Sequence, residues 1–505
     1  MPTAPAKSAK ITKKTAANAP ASKKAMTASR PAAEPRRADN PLLKEWKTPF
    51  QAPPFEAISV EHFLPAFAAG LARHKTEIDK IASAKTKSSF KNTIAALENA
   101  GRLLGRVSST FWNLSGAHTN EALQAIEREM SPKLAAHWTA VAGNAALFAR
   151  VDDLFARREK LGLSAEELRV LERTHLELVR SGAKLSRKAK KRHAEIIERL
   201  AALGTQFGQN VLADEKDYEL PLPAAADRAG LPPFLIDAAA AAAAERSSKA
   251  SHVVTLSRSL IEPFLVFSTR RDLREQAFKA WARRGERGGG SDNRRIVAET
   301  LALRRERARL LGYDTFADYK LDDTMAKTPD AVRGLLDRVW EPARTQAARE
   351  RDRLQAFAVR EGANIAIEPW DWRHYAEKVR TAEFALDGAQ IKPYLPLDQI
   401  IEAAFWTANQ LFGVTFAERK DVPVYHPDVR TWQVEDAKGT LVALFLGDYF
   451  ARPSKRSGAW MSAFRSQEKL GGDIRPIIVN VMNFAKAPAG EPTLLSIDDA
   501  RTLFH

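Results

Sequence analysis

The chain has 505 residues, 45% of them hydrophobic, no cysteine and a formal net charge of +16. Such a length builds one large multi-lobed body or about two to four domains. Without cysteine there are no disulfides and no thiolate metal sites, so any metal must be held by His, Asp or Glu, and a reducing compartment such as the cytoplasm suits the chain. No uninterrupted apolar run reaches about 18 residues, which argues against a membrane span.

Residues 1–40 are Ala, Pro, Lys, Ser and Thr with nine Lys/Arg against two Asp/Glu, so +7 of the charge sits there. A segment with so few large apolar side chains cannot offset its ordering entropy, and it reads as a disordered basic tail. A transit leader is the other reading. The prolines that would break its amphipathic helix and the missing apolar stretch weigh against that. The +9 left on the folded portion calls for no specific nucleic-acid partner.

From about residue 58 the apolar spacing is helical. Ser164 to Glu167 forms a capping box, Leu168, Leu171, His175, Leu178 and Val179 share one helix face, and Gly182 stops it. Ile196, Leu200, Leu203, Phe207 and Val211 continue the pattern, Ala238 to Ala244 is almost pure helix former, and Thr328-Pro329 opens a further helix. Gly288 to Gly290 lacks the strand before and the Lys-Ser/Thr after that a phosphate loop needs, so it reads as a connection between helices.

After residue 413 the pattern changes. Val422–Tyr425, Val429–Val434, Leu441–Tyr449 and Ile477–Phe484 are short and rich in Val, Ile, Tyr and Phe, with a turn at Ala437 to Gly439. A helix then opens at Asp498-Asp499, acidic residues suited to a helix N-terminus. The division expected is therefore a tail (1–40), a helical portion (41–412) and a portion with a small sheet (413–505).

The ten histidines include no pair four apart. His193 lies among Lys and Arg and reads as part of a solvated helix face, and His175 as packing on its own helix. His426, beside Pro427 and Asp428, reads either as a satisfied structural histidine or as a cleft wall. The stretch from Asp448 to Met461 reads either as a buried loop or as the lining of a cleft, because the small residues before Trp460 permit close backbone approach.

Seven stretches carry a resemblance: "FLPAF" (63–67), "DDTMAKTPDAV" (322–332), "PWDWRHYAEKVR" (369–380), "FWTANQLFGV" (405–414), "VPVYHPDVRTW" (422–432), "GDYFARPSKRSGAWM" (447–461) and "VNVMNF" (479–484). Together they resemble the thimet-oligopeptidase family of zinc metallopeptidases, closest to its bacterial peptidyl-dipeptidase branch, over about residues 41–505. The resemblance implies a mainly α fold, with two helical lobes around a deep channel and a small β-sheet near the C-terminal end. It implies a cytoplasmic monomer that hydrolyses short peptides with zinc-activated water and releases C-terminal dipeptides, with neither nucleic acid nor membrane as partner.

In that family the phrase matching "TLFH" runs on into a zinc helix of the form His-Glu-x-x-His. His505 then matches the first metal ligand, while the general-base Glu, the other zinc ligands and later helices fall beyond it. The sequence reads as truncated inside that motif, and the 505-residue chain alone is expected to be inactive. Zinc peptidases of this kind pair substrate backbone with an edge strand beside the metal helix. Ile477–Phe484 is the candidate, with Ile477, Val479, Val481 and Asn483 facing substrate; an ordinary core strand is the competing reading. A non-catalytic helical scaffold that binds peptides is the alternative function.

Overall fold

The computed structural model describes residues 39–505 apart from 287, 386–387 and 488–489. The tail assigned to residues 1–40 therefore lies, but for its last two residues, outside the described residues. The architecture is mainly α with one small late sheet, as the resemblance implied.

The first half is built of amphipathic helices. Phe63–Ala82 (α1) and Arg102–Ala117 (α2) cross with Phe63 and Phe67 edge-on to Phe111, all three within 1% of full burial. Glu121–Ala142 (α3), Ala145–Ala156 (α4), Ala165–Arg180 (α5) and Arg187–Asp217 (α6) follow. The expected capping box at the start of α5 is present: Glu167 N–H donates to Ser164 Oγ at 3.2 Å and Ser164 N–H to Glu167 Oε2 at 2.9 Å. Ser164→Ala should lower stability by about 1 kcal/mol, read from a denaturant midpoint at unchanged slope. Gly182 ends the turn after α5 with φ +93°, where Leu185 Cδ1 would lie 2.8 Å from an added Cβ.

Pro233–Glu245 (α7), Arg258–Phe267 (α8) and Arg271–Ala282 (α9) enclose a second core around Leu235, Val253, Ile261 and Phe264. Arg294–Leu310 (α10), Pro329–Arg360 (α11), Pro369–Phe384 (α12) and Leu397–Phe412 (α13) come next. Gly288 to Gly290 does connect two helices, α9 and α10.

The late sheet has five strands: Thr415–Arg419 (β1), Arg430–Glu435 (β2), Leu441–Phe450 (β3), Trp460–Arg465 (β4) and Ile477–Phe484 (β5). Their spatial order is β1-β2-β3-β5-β4, antiparallel except for the parallel β3–β5 pair. Two differences from the sequence reading stand out. β1 and β4 were not anticipated, because Thr415–Arg419 is mostly polar and Gly458 blurs the start of the other. Val422–Tyr425 is loop rather than strand, since Pro423 and Pro427 bracket it and proline cannot donate to a ladder.

One sheet face, with Leu444, Leu446, Ile477, Val479 and Val481, packs on α1, α2 and α3. The other, with Trp432, Tyr449, Met482 and Phe484, packs on α13. The change at residue 413 is thus one of secondary structure, and the first hydrophobic core runs across it.

Candidate active site

β3 carries an aspartate at its buried end. Asp448 accepts from Tyr425 Oη at 2.7 Å, from Arg452 Nη1 at 2.8 Å and from Lys455 Nζ at 2.7 Å, and no part of its side chain reaches solvent. Lys455 Nζ also donates to the carbonyls of Phe450 at 2.5 Å and Met482 at 2.9 Å. Burial alone would raise the Asp448 carboxyl. The Arg452 hydrogen bond and the two cationic neighbours outweigh that and hold it below the usual carboxylate range. Burial pushes the Lys455 ammonium down to about 8, with Asp448 opposing, so it stays protonated at neutral pH.

The same loop ties the sheet to the end of α2. Arg452 Nη2 donates to Ala117 O at 2.6 Å, Arg456 N–H to Gly116 O at 3.0 Å and Thr119 N–H to Ser454 O at 2.8 Å. The acid at one position with bases four and seven residues later was the sequence signal for this cluster, and the sequence reading passed over it. Both readings of residues 448–461 hold, each for different residues. Asp448 and the Lys455 side chain are core, while Arg452 and Ser457 line a cleft of about 570 Å³.

That cleft lies between the sheet end and helices α6, α7 and α8, with Glu215, Arg246, Arg258, His426 and Lys486 on its walls. Its charges are mostly matched. Lys486 Nζ pairs with Asp428 at 2.5 Å, Ser457 Oγ donates to Glu215 at 2.9 Å, and Arg246 donates to the carbonyls of Lys216 and Tyr218. His426 does face this space, 5.2 Å ring to ring from His118. Burial first, then Arg452, lowers its pKa.

The substrate strand assigned from the sequence needs correction. β5 is paired along both sides, with β3 through Leu444↔Ile477 to Asp448↔Val481 and with β4 through Trp460↔Val481 to Arg465↔Ile477. Its backbone has no free ladder to offer there. Ile477, Val479 and Val481 point into the core and are each 1% exposed, so apolar burial rather than substrate fixes them. Asn483 donates to the carbonyls of Arg456 at 3.0 Å and Gly458 at 2.7 Å, bracing the turn into β4. The strand at that edge of the sheet is β4, with Met461 66% exposed. α2 reaches part of this edge, with Asn113 Nδ2 donating to Ala463 O at 3.1 Å and Ser109 Oγ to Phe464 O at 2.9 Å.

His505 follows Ile497–Phe504 (α14), the helix expected at Asp498, whose N-terminus is capped by Ser496 and Asp499. Leu503 anchors α14 against the α13 side of the sheet, and the His505 imidazole is exposed. Among the described residues no three His, Asp or Glu side chains converge on one point. Zinc catalysis requires three protein ligands and an open position, so the residues described here do not by themselves hold the ion.

Three further histidines are structural. His175 stacks on Phe155 at 3.9 Å and pairs with Asp152 at 2.9 Å, as packing on its helix required. His193 is buried rather than on a wet face; burial first and Arg307 second push it down to about 4. His374 bonds the carbonyl of Val266 at 2.8 Å and is likewise pushed to about 4, chiefly by burial.

The described residues thus form a mainly helical body with a late five-stranded sheet and a cleft beside that sheet's end. Comparison with known proteins supplies the family. The model of peptidase family M3 matches residues 264–505. The chain is 42% identical over 467 residues to the dipeptidyl carboxypeptidase of Salmonella typhimurium, covering 92% of this chain and 68% of that protein. It is 41% identical over 467 residues to the dipeptidyl carboxypeptidase of Escherichia coli, with the same coverage. Oligopeptidase A of Escherichia coli is 30% identical over 472 residues, 92% of this chain and 69% of that protein. The chain belongs to peptidase family M3. No described helix is long and apolar enough to cross a membrane.

Proposed function

We propose that this chain forms the peptide-binding body of a zinc-dependent peptidyl-dipeptidase that acts as a monomer in the cytoplasm and releases dipeptides from the free C-terminus of short peptides. The observation that carries it is the gap in identity, 42% with a dipeptidyl carboxypeptidase against 30% with oligopeptidase A, each over 92% of the chain. The open part of β4 at Trp460–Met461 takes the substrate backbone, because β5 has none to give. Residues 413–505 begin the catalytic portion and residues 41–412 form the channel wall. His505 supplies one zinc ligand.

On this reading residues 1–505 alone bind peptides without cleaving them. Titrating a fluorescent tetrapeptide into the purified polypeptide should give binding that neither zinc nor a chelator changes, with no product by mass spectrometry. Zinc-dependent turnover lost in His505→Ala would overturn the inactivity. A peptide-binding scaffold without catalysis is the second reading, favoured by the absence of a three-donor cluster among the described residues. Adding in trans the part of the Salmonella relative outside the match separates the two. Dipeptide release that requires His505 supports the peptidase; binding without release supports the scaffold.

A further inference from the structure

A second concavity, of about 530 Å³, lies at the end of α2 opposite the cleft. Its walls are the segment 43–51, α1 at Arg73, the first turns of α2, the end of β4 and the connection from there to β5, all of them described residues. Four guanidiniums line it, those of Arg73, Arg102, Arg106 and Arg465. Two are matched: Arg73 Nε pairs with Glu77 at 2.9 Å and Arg102 Nη1 with Glu468 at 2.5 Å. The other two have no carboxylate partner among the described residues. Arg106 Nη2 donates to Leu42 O at 2.8 Å, its Cζ lies 5.0 Å from the Trp46 ring centre, and its Nε is buried without an acceptor. Arg465 Nε donates to Arg475 O at 2.8 Å, and its Nη1 reaches Gln51 Oε1 at 3.4 Å.

Both cations are partly withdrawn from water with no ion pair to offset it. Burial, then Arg73, lowers the Arg106 pKa against the pull of Glu45, and burial alone lowers that of Arg465. A charge held this way costs free energy. Fastening the segment 43–51 accounts for one donor of Arg106, but not for a second unmatched guanidinium on the same space. Of the acids on the wall, Glu468 is taken by Arg102 and Glu45 is exposed, so positive charge is in excess. The rest of the lining is largely apolar, with Leu43, Leu103 and Ile477 near the Trp46 ring. The volume is that of a small-molecule site. Arginine's planar fork suits the oxygens of phosphate and carboxylate. A phosphomonoester brings up to about two charges and three acceptor oxygens, enough for two guanidiniums at once. A carboxylate brings less of both.

We propose that this concavity is a binding site for a small phosphomonoester with an apolar body, its phosphate held by Arg106 and Arg465 and its body set against Trp46 and Leu103. Such a ligand clamps the segment 43–51 to the end of β4. Its binding is separate from zinc and from peptide, because the tie between α2 and the cleft at Ala117 lies about 16 Å further along the helix.

The test titrates phenyl phosphate into residues 1–505 by calorimetry without zinc, at about 0.15 M chloride, where loose surface attraction is screened. Saturable binding is expected, with amide hydrogen exchange slowed across 43–51 and 463–474. Inorganic phosphate should bind at least about tenfold more weakly, since it has no apolar body to bury. Arg106→Gln and Arg465→Gln should each weaken phenyl phosphate at least about tenfold, the scale of a lost charge-assisted hydrogen bond. Arg465 closes a strand and bonds only at its end, so its variant decides the matter if loosening Leu42 unfolds the other. Lys188→Gln, an exposed cation in the basic run of α6, should change binding less than about twofold, which separates a built site from general attraction to a basic chain. No saturable binding by the wild-type chain, or binding indifferent to both glutamines, would overturn the proposal. Equal affinity for benzoate would assign the site to a carboxylate, and displacement by the tetrapeptide would put the anion in the cleft; either result overturns it too. Tetrapeptide binding without phenyl phosphate binding sinks this proposal alone, and the reverse sinks the peptide reading alone.

Discussion

Asp448→Ala is expected to destabilise the protein by about 3–5 kcal/mol, the scale for removing one partner of a buried ion cluster. The loss strands two cations. Lys455 has no exposed side-chain surface and Arg452 almost none, and neither can turn to water. It also frees the Tyr425 hydroxyl that donates to Asp448 at 2.7 Å. A denaturant midpoint reads the effect, and a change under about 1 kcal/mol would show the cluster to be dispensable. The pH dependence has a defined sign. The Asp448 carboxyl sits below its ordinary value in the fold, so its contribution is complete above the unfolded carboxylate pKa near 3.9 and is lost as pH falls through the lower folded value. Asp448→Asn should remove that component of the acid limb while keeping the side chain's volume.

The second large effect is expected at α9–α12. Asp371 is fully buried and accepts from Arg274 Nη2 at 2.8 Å and Arg271 Nη2 at 2.8 Å, and Arg274 is itself 2% exposed. Arg274 Nη1 also donates to Ser268 O at 2.7 Å, so the guanidinium is pinned from two sides. Asp371→Ala should cost about 3 kcal/mol or more, because the Arg274 charge stays behind without its counter-ion. Burial alone would raise the Asp371 carboxyl, and the Arg271 and Arg274 hydrogen bonds outweigh it and lower the pKa. Its stabilisation therefore vanishes over the same acid window as that of Asp448. The two aspartates share no partner, so the losses in a double variant should add within about 0.5 kcal/mol in urea unfolding. A double variant no less stable than either single one would show that both report a single unfolding unit.

Much of the frame was legible in the chain. Local signals carry local structure: the Ser164 capping box, the Thr328-Pro329 start and the helix at Asp498 all appear where the side chains dictate, because caps act within one turn. β5 was bounded correctly as Ile477–Phe484, since buried strands read as continuous apolar runs. The same property hid its role. A strand apolar on both faces is one that sits inside the sheet, whereas the strand at the sheet edge, β4, mixes Trp460 and Met461 with Ser462 and Arg465 and gave a weaker signal.

The sequence by itself determined several helix starts, the lateness of the sheet and, through long matching stretches, the peptidase family. Those features depend on neighbours a few residues away or on ordered strings of side chains. Tertiary structure alone decided which strand lies at the edge, that Asp448, Arg452, Lys455 and Tyr425 form one buried charge cluster, and that His193 lies inside. Each of these depends on which elements are adjacent in space, and pairing order and burial are properties of the packed chain that no spacing within a single element encodes.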